Sequence, residues 1–349
     1  MRDKTYLIGA IAFAAAVAVP VWIPSLTSAT AVAESRHAHG AADHSSAHQE
    51  ESSSATNGAV DWEAMDHLMA ERAEAFPAET AGTGGQVLEP EILEDGTKQF
   101  TLTAGLVDWE VEPGQVVEAM AFNGMVPGPT LRADVGDTVR VVLENDLPES
   151  TVIHWHGIPI TNEMDGVADI TQPPVPPGES FTYEISADRL SVGWYHSHHN
   201  GAHQVPAGLW GAFLIGDLPL PDDATADHET LIQLQDSSPI GMTLNGKSYP
   251  ATEPLEMAQG ESMLIHYVNA GMQVHPMHLH GLDQLVVGKD GFPLEHPYEA
   301  DTVLVAPGER YSVLVVGERP GRWAFHCHVF SHMEGSAGMF GMFTELIVH

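Results

Sequence analysis

A short run near the C-terminus combines the side chains that bind transition metals. His326-Cys327-His328-Val329-Phe330-Ser331-His332 contains the single cysteine of the 349-residue chain. Successive side chains of a β-strand point to opposite faces, so His326 and His328 would face one way and Cys327 the other. Thiolate and imidazole both bind copper, zinc and iron. One tripeptide could therefore contact two metal sites that the backbone joins covalently.

Three more pairs of histidines, each separated by one residue, precede this run. They are His154 and His156, His196 and His198, and His278 and His280, the last pair following His275. A single buried histidine is usually a satisfied core residue, but four such pairs in one chain indicate metal binding. Thiolate with two imidazoles and a thioether is the ligand set of a blue-copper site. The spacing does not match a closed zinc site of the finger type.

The elements that must position these side chains are predicted to be strands. From Lys98 onward, short alternating runs are separated by glycine and proline, for example at 138–144, 180–185, 263–268 and 311–316. This pattern is typical of an all-β sandwich, and no internal helix of any length is evident. Upstream, residues 61–76 have apolar residues at helical spacing, and Asp61 could cap such a helix.

The chain also divides into two halves of similar plan. Pro177-Gly178-Glu179 and Pro307-Gly308-Glu309 each lead into a strand, and each half then runs from an aromatic strand into clustered histidines. Prolines and acidic residues at 217–227 suit an interdomain linker. The repeat predicts two β-sandwich domains, at 95–218 and 229–349.

The first part of the chain is typical of an exported protein. Residues 1–33 combine the charged Arg2 and Lys4, an apolar run and a small-residue cleavage site at Ala31-Val32-Ala33, so a signal peptide is predicted. An uncleaved membrane anchor is the alternative, since the apolar run is near the lower limit for a span. Residues 34–94 are predicted to be a disordered linker with the short helix. A solvated tail is favoured over weak metal scavenging for its histidines, which are His37, His39, His44 and His48.

Charge excludes one class of partner. The chain has 13 basic and 48 acidic residues, a formal net charge of −35, so nucleic acid would be repelled. An acidic surface fits solubility, attraction of cations or high external salt.

The four histidine motifs, their order and their contexts resemble those of the multicopper oxidases. The length of the chain and its single cysteine are similar to those of the small, two-domain, laccase-like branch. The resemblance covers roughly residues 95 to 349. This resemblance implies two cupredoxin-like Greek-key β-sandwich domains. It also implies a laccase-like activity that oxidises phenolic or related reducing substrates at a type 1 copper and reduces dioxygen to water at a trinuclear copper cluster.

The resemblance assigns ligands residue by residue. The type 1 copper would be held by His275, Cys327 and His332. The type 2 copper would be held by His154 and His278. The two type 3 coppers would be held by His156, His196, His198, His280, His326 and His328. Each protomer would thus bind four coppers.

The axial position of the type 1 site departs from the family pattern. The family commonly places this residue five positions after the last type 1 histidine, and here Ala337 has no donor atom. Met339 follows in a Gly-Met pair after a loop two residues longer, so Met339 is the predicted axial ligand. Met333, Met342 or no close axial ligand are the alternatives.

Two further expectations follow from the resemblance. Asp165 resembles a family acid near the solvent channel of the cluster and could deliver protons, whereas a turn aspartate before Gly166 is the structural alternative.

The first domain has no cysteine, and its four histidines need those of a second domain. The resemblance implies that they meet between neighbouring subunits, in a homotrimer with three interfacial clusters.

The expected reaction has alternatives in other classes. A reducing substrate would dock near an exposed edge of His332, and an electron would cross Cys327 to His326 or His328, a covalent path on the order of 10 Å. A metallo-oxidase acting on Cu(I), Fe(II) or Mn(II) is the main alternative. A copper nitrite reductase would not need the His-Cys-His motif, and a non-enzymatic copper or electron-transfer protein would leave eight histidines unexplained.

Overall fold

The computed structural model describes residues 61–221, 224–336 and 338–349. The predicted signal peptide at 1–33, the four histidines of the tail and position 337 lie outside the described residues. Helix α1 spans Trp62–Ala75, and the Asp61 side chain accepts a hydrogen bond from the Ala64 amide, 3.1 Å away. The helix therefore begins at the capping residue expected from the sequence, because a carboxylate satisfies a free amide of the first turn.

The first half of the chain forms two facing sheets. Its strands are β1 (Glu91–Ile92), β2 (Lys98–Glu112), β3 (Gln115–Phe122), β4 (Gly128–Ala133), β5 (Thr138–Asn145), β6 (His154–His156), β7 (Ser180–Ser186), β8 (Ser191–His196) and β9 (Trp210–Ile215). One sheet has the order β1-β2-β5-β7, with β3 paired to β2, and the other has the order β4-β9-β8-β6. A 3₁₀ helix at Asn162–Met164 follows the first histidine strand.

A short helix between two of these strands was not predicted. Helix α2 spans Gly201–Ala207 and contains Pro206. Seven residues make fewer than two turns, so the segment has no hydrophobic periodicity long enough to indicate a helix. It follows directly on the His196-Ser197-His198 segment and packs beneath it.

The second half forms two larger sheets. Its strands are β10 (His228–Ser237), β11 (Gly241–Leu244), β12 (Leu255–Met257), β13 (Ser262–Asn269), β14 (His275–Leu279), β15 (Gln284–Lys289), β16 (Phe292–Ala300), β17 (Thr302–Val305), β18 (Arg310–Val316), β19 (Gly321–Cys327), β20 (Glu334–Gly335), β21 (Gly338–Met339) and β22 (Phe343–Val348). The sheet orders are β11-β10-β13-β18-β15-β16 and β12-β22-β19-β14-β17, with β20 and β21 as a separate hairpin. A 3₁₀ helix at Phe330–His332 joins β19 to that hairpin.

Each half has its own apolar core, so the all-β prediction is confirmed. Trp155, Tyr183 and Phe213 are buried in the first core, and Tyr267 and Phe325 in the second. Burial alternates along strands such as β5 and β7, as period-two side-chain placement requires. The cores lie within the predicted ranges 95–218 and 229–349.

Apolar and charged contacts join the two halves. A third buried cluster brings Trp194 and Trp210 of the first half against Val268 of the second. Arg132 pairs with Glu229 across the same boundary, with 2.5 Å between nitrogen and oxygen. The halves are therefore held in a fixed relation. No helix in the described part of the chain is long and apolar enough to cross a membrane.

Candidate metal centres

His275, Cys327 and His332 meet in one buried centre, called here the Cys327 centre. Cys327 Sγ lies 3.7 Å from His275 Nδ1 and 3.5 Å from His332 Nδ1, and the three side chains are at most 2% exposed. If a metal lay at the centre of the triangle formed by the three donor atoms, about 2.0–2.3 Å from each, the sulfur would lie about 3.6–3.8 Å from each nitrogen. The donor spacing and the mixture of one sulfur with two imidazoles fit copper.

The outer contacts of the two histidines determine which ring nitrogen faces the sulfur. His275 Nε2 lies 3.0 Å from a carboxylate oxygen of Asp236, and His332 Nε2 lies 3.3 Å from the amide oxygen of Gln273. Both oxygens can only accept, so each Nε2 carries the proton of a neutral imidazole. The Nδ1 lone pairs therefore face Cys327 Sγ.

Asp236 was not predicted from the sequence, although it organises the Cys327 centre. Its fully buried carboxylate accepts hydrogen bonds from His275 Nε2, Ser237 Oγ and the Met272 and Gln273 amides, at 2.7–3.1 Å. Burial alone would raise the pKa of Asp236, but the hydrogen bonds from His275, Ser237 and the backbone outweigh it and lower the pKa. The only sequence signal was an acidic residue near the end of an apolar strand.

Burial also sets the protonation of the ligand side chains. It raises the pKa of the Cys327 thiol to about 11 and lowers the pKa of His332. A neutral imidazole offers the lone pair that a metal needs, whereas the thiol must lose its proton when a metal binds. His332 is 2% exposed, so the exposed edge expected for substrate docking is not present.

The methionines beside the Cys327 centre occupy different surroundings. Met342 is buried in the core that contains Cys327, and its carbonyl accepts a hydrogen bond from the Cys327 amide at 3.0 Å. Met333 and the half-buried Met339 pack instead in a separate cluster with Phe76. The axial role of Met339 stays a prediction.

His154, His156, His196 and His198 form a first quartet at the end of β6 and β8. His154 is paired with His196 across the strands, and its ring centroid lies 5.2–5.8 Å from those of the other three. The buried indole of Trp194 stacks on His196 at 4.2 Å and on His156 at 5.0 Å. Burial lowers the pKa of His196 to about 3. Burial, followed by the Arg310 guanidinium, lowers the pKa of His156 to about 4.

A polar network anchors the loop of the first quartet. The Gln204 carboxamide oxygen, on α2, accepts hydrogen bonds from Ser197 Oγ at 2.5 Å and Thr151 Oγ1 at 2.8 Å. All three side chains are buried. The unpredicted helix α2 therefore fixes Ser197, the residue between His196 and His198.

His278, His280, His326 and His328 form a second quartet at the ends of β14 and β19, with His280 and His328 just beyond the last residue of each strand. His278 is opposite His326 in the sheet, and Met277 is opposite Cys327. Ring centroids within the quartet lie 4.8–5.7 Å apart, and the Nε2 atoms of His280 and His326 are 3.0 Å apart. Cys327 lies in the core while the quartet lies on the outer face of the sheet, as the alternation predicted.

Two histidines of each quartet form a hydrogen bond through the opposite ring nitrogen from the histidines of the Cys327 centre. Nδ1 of His154, His196, His278 and His326 lies 2.9–3.0 Å from a backbone carbonyl oxygen. A carbonyl only accepts, so Nδ1 carries the proton and Nε2 keeps the lone pair. In these four histidines Nε2 is therefore the nitrogen with the lone pair, whereas in His275 and His332 it is Nδ1.

Each quartet is half of the predicted ligand set. Among the residues that the structure describes, the histidine ring contacts of one quartet do not reach the other. Three members of the first quartet bring their nitrogens within 4.8 Å of one another. Two apolar side chains of these regions are exposed: Ile170, which follows the first motif in the sequence, by 81%, and Leu304, on β17 next to β14, by 55%.

Asp165 contacts the first quartet directly. Its carbonyl oxygen lies 2.9 Å from His154 Nδ1, and its carboxylate oxygen Oδ1 lies 3.3 Å from the same atom. The side chain is 30% exposed, so it touches both solvent and a predicted ligand. This position suits a proton carrier, and the role itself stays a prediction.

Comparison with known proteins agrees with this geometry. Residues 104–219 and 223–347 match two sequence families that are each described as multicopper oxidase. The solved multicopper oxidase mgLAC is 36% identical, with a TM-score of 0.68, over 72% of this chain and 86% of that protein. The blue copper oxidase from Nitrosomonas europaea is 32% identical, with a TM-score of 0.69 and the same coverage.

Curated relatives match over shorter shares of their length. Dihydrogeodin oxidase of Aspergillus terreus is 34% identical over 231 residues, which are 56% of this chain and 38% of that oxidase. The chain spans less than half the length of the curated relatives that it matches.

Proposed function

The chain belongs to the multicopper oxidase family, and on that premise we propose that it is a laccase-like oxidase of two cupredoxin-like domains. It would oxidise four molecules of a phenolic or related reductant by one electron each and reduce one dioxygen, with four protons, to two waters. The observation that carries this proposal is that the free ring nitrogen is Nδ1 in the two histidines of the Cys327 centre and Nε2 in four of the eight quartet histidines. Such a difference suits two kinds of copper site within one chain.

Four coppers per protomer fit the available donors. His275, Cys327 and His332 would hold the type 1 copper, with Met339 as its predicted axial ligand. The two quartets would supply the eight imidazoles of a type 2 copper and a type 3 pair. When bound, copper supplies the reversible one-electron chemistry that the side chains lack. The chain orients the donors, keeps their lone pairs free and, through Cys327 and its neighbours, connects the two sites covalently.

We further propose that the second half of each cluster comes from another copy of the chain. Each quartet offers four imidazoles, whereas the cluster needs eight. The exposed Leu304 lies on the same sheet face as His278, and the exposed Ile170 follows the first motif. These apolar side chains support contact between subunits, and a head-to-tail contact that closes after three copies gives the trimer.

Burial of His332 changes the proposed route of electron entry. The Gln273 amide lies against His332 Nε2, and the residues next to Gln273 are exposed: Met272 by 54% and Val274 by 45%. Reductants would therefore dock on the surface around Gln273 rather than on the histidine itself. Asp165 would hold and pass protons beside His154, because its carboxylate contacts both solvent and that ring.

Oxygen uptake by the copper-loaded protein tests the activity. The expected result is steady consumption of dioxygen with a phenol, and comparison with Cu(I) and Mn(II) separates the laccase from the metallo-oxidase. No consumption with any reductant at full copper occupancy would refute an oxidase. Nitrite reduction in its place would favour a nitrite reductase.

Two measurements separate the parts of the proposal. A Cys327→Ser variant should lose the blue absorption and keep a type 2 signal, and a blue variant would refute the ligand assignment. Native sizing should give a trimer, and an active monomer would refute the shared cluster.

Export is proposed from the N-terminal sequence and predicts a mature chain without residues 1–33, which mass spectrometry of the natural protein can check.

A further inference from the structure

Helix α1 lies outside both regions that match the multicopper oxidase families, yet it packs against the loop of the Cys327 centre. Met65, Met69 and Arg72 are its half-buried side chains, and their spacing places them on one face. That face lies on the β20–β21 hairpin. A Cβ added at Gly338 would lie 2.5 Å from Met69 Cγ, so the helix and the hairpin are in close contact.

Arg72 ties this hairpin to the body of the protein through three partners. Its Nε donates to the Met339 carbonyl at 2.6 Å, and its terminal nitrogen donates to Glu112 at 2.9 Å and to the Tyr249 carbonyl. Its side chain is 23% exposed and that of Glu112 is 10% exposed, so solvent screens the ion pair only partly. The guanidinium donates from both Nε and a terminal nitrogen, so it reaches acceptors in different directions, whereas an ammonium would have to reach them all from one nitrogen.

Glu112 carries the connection to the other side of the hairpin. Its carboxylate accepts a hydrogen bond from Ser248 Oγ at 3.2 Å, and Ser248 Oγ accepts one from the Gly341 amide at 2.9 Å. Arg72 and Glu112 thus hold the chain at Met339 and at Gly341. The segment between the last ligand histidine and β22 is therefore held by Arg72 and Glu112 from outside the second domain and by Ser248 from within it.

Backbone hydrogen bonds connect the same segment to two ligand residues. The Met342 amide donates to the His332 carbonyl at 2.9 Å, and the Cys327 amide donates to the Met342 carbonyl at 3.0 Å. A displacement of the hairpin would therefore move His332 and Cys327, whichever residue is the axial ligand.

We propose that Arg72 is a positioning residue of the type 1 copper centre. Through Arg72, helix α1 would help to set the reduction potential and the blue absorption band of this centre. The inference rests on the proposed function, since tuning requires a type 1 copper. Arg72 donates its hydrogen bond to the backbone carbonyl of Met339 and not to the side chain predicted to bind copper. It acts through the hairpin, by fixing how Met339, His332 and Cys327 lie relative to one another.

The test compares Arg72→Gln, Arg72→Lys and the native chain in two states. In the metal-free protein, amide hydrogen exchange over residues 333–342 should become about tenfold faster in Arg72→Gln, because charged hydrogen bonds to the segment are lost. In the copper-loaded protein, the blue absorption band and the reduction potential should shift. Arg72→Lys keeps the positive charge but has all its donors on one nitrogen, so it should shift the blue band and the reduction potential by a smaller amount.

Arg322→Gln is the matched control. Arg322 also forms a two-bond ion pair, with Glu345 at 2.5 and 2.8 Å, but it is exposed and does not contact the hairpin segment. The Arg322→Gln variant should keep the native absorption spectrum, the native reduction potential and the native rate of amide hydrogen exchange over residues 333–342. If Arg72→Gln does not fold, Met69→Ala removes the other contact of the helix with the hairpin and should shift the same readouts in the same direction.

The outcomes distinguish this inference from the proposed function. Faster exchange with an unchanged band and potential would make Arg72 purely structural and overturn the inference. Unchanged exchange would overturn it as well. A native protein that binds copper without a blue band would instead refute the type 1 assignment, and the tuning role would fall with it.

Discussion

Replacement of Asp236 by asparagine tests how the Cys327 centre is organised. The carboxylate accepts four hydrogen bonds, from His275 Nε2 and the Gln273 amide on one oxygen and from the Met272 amide and Ser237 Oγ on the other. Asparagine keeps one acceptor oxygen and places an NH₂ group at the other. That NH₂ faces donors, and only the Ser237 hydroxyl, by rotating, or His275, by moving its proton to Nδ1, can accept from it, whereas the Met272 and Gln273 amides cannot.

The expected loss follows from the number of buried donors left without an acceptor. At least one buried amide loses its partner, and the remaining bonds lose their charge assistance. Each such loss is worth about 1–3 kcal/mol, so the free energy of unfolding should fall by about 2–4 kcal/mol. His275 also loses the contact that fixes its tautomer. Changes of this kind lower metal affinity by about 10–100-fold.

Urea unfolding of the metal-free protein and copper titration at pH 7 measure the two effects. Asp227→Asn is the control, since that carboxylate accepts bonds from the backbone and hydroxyl of Ser262 but is exposed. The control should lose much less stability than Asp236→Asn, because solvent can replace the lost partners, and it should bind copper normally. If Asp236→Asn behaves like the control in both assays, the proposed role of the buried carboxylate is wrong.

Three other changes test separate parts of the structure. The hydrogen bond from His266, with a smaller effect of Arg132, lowers the pKa of Glu229 from 4.5 to about 2. Its contribution to stability is therefore present above pH 4.5 and is lost as pH falls toward 2, and Glu229→Gln should flatten this part of the pH profile of urea midpoints. Gln204→Leu should lower copper occupancy, read by metal analysis, while the blue band persists, because only the first quartet loses its anchor. Leu304→Glu should shift the native size from trimer to monomer in gel filtration, and an unchanged trimer would place the contact elsewhere.

Much of the fold could be predicted from local sequence. Period-two alternation predicted the strands and placed His326 and Cys327 on opposite faces, because neighbouring side chains of a strand must diverge. Asp61 predicted the start of α1, because a capping carboxylate acts within one turn. Helix α2 was missed because its seven residues have too little periodicity.

The features that the sequence could not predict depend on residues far apart in the chain. Asp236 lies 39 positions before His275, Gln273 lies 59 positions before His332, and Arg72 lies 267 positions before Met339. No local pattern encodes such contacts, since they exist only once the sheets and the helix have packed. The sequence by itself determined where the strands form and which of their faces the predicted ligand side chains occupy. Only the tertiary structure decided that His332 is buried, that the histidine rings of the two quartets do not meet, and which ring nitrogen His275, His332 and four of the quartet histidines leave free, because packing sets the partners of buried polar atoms.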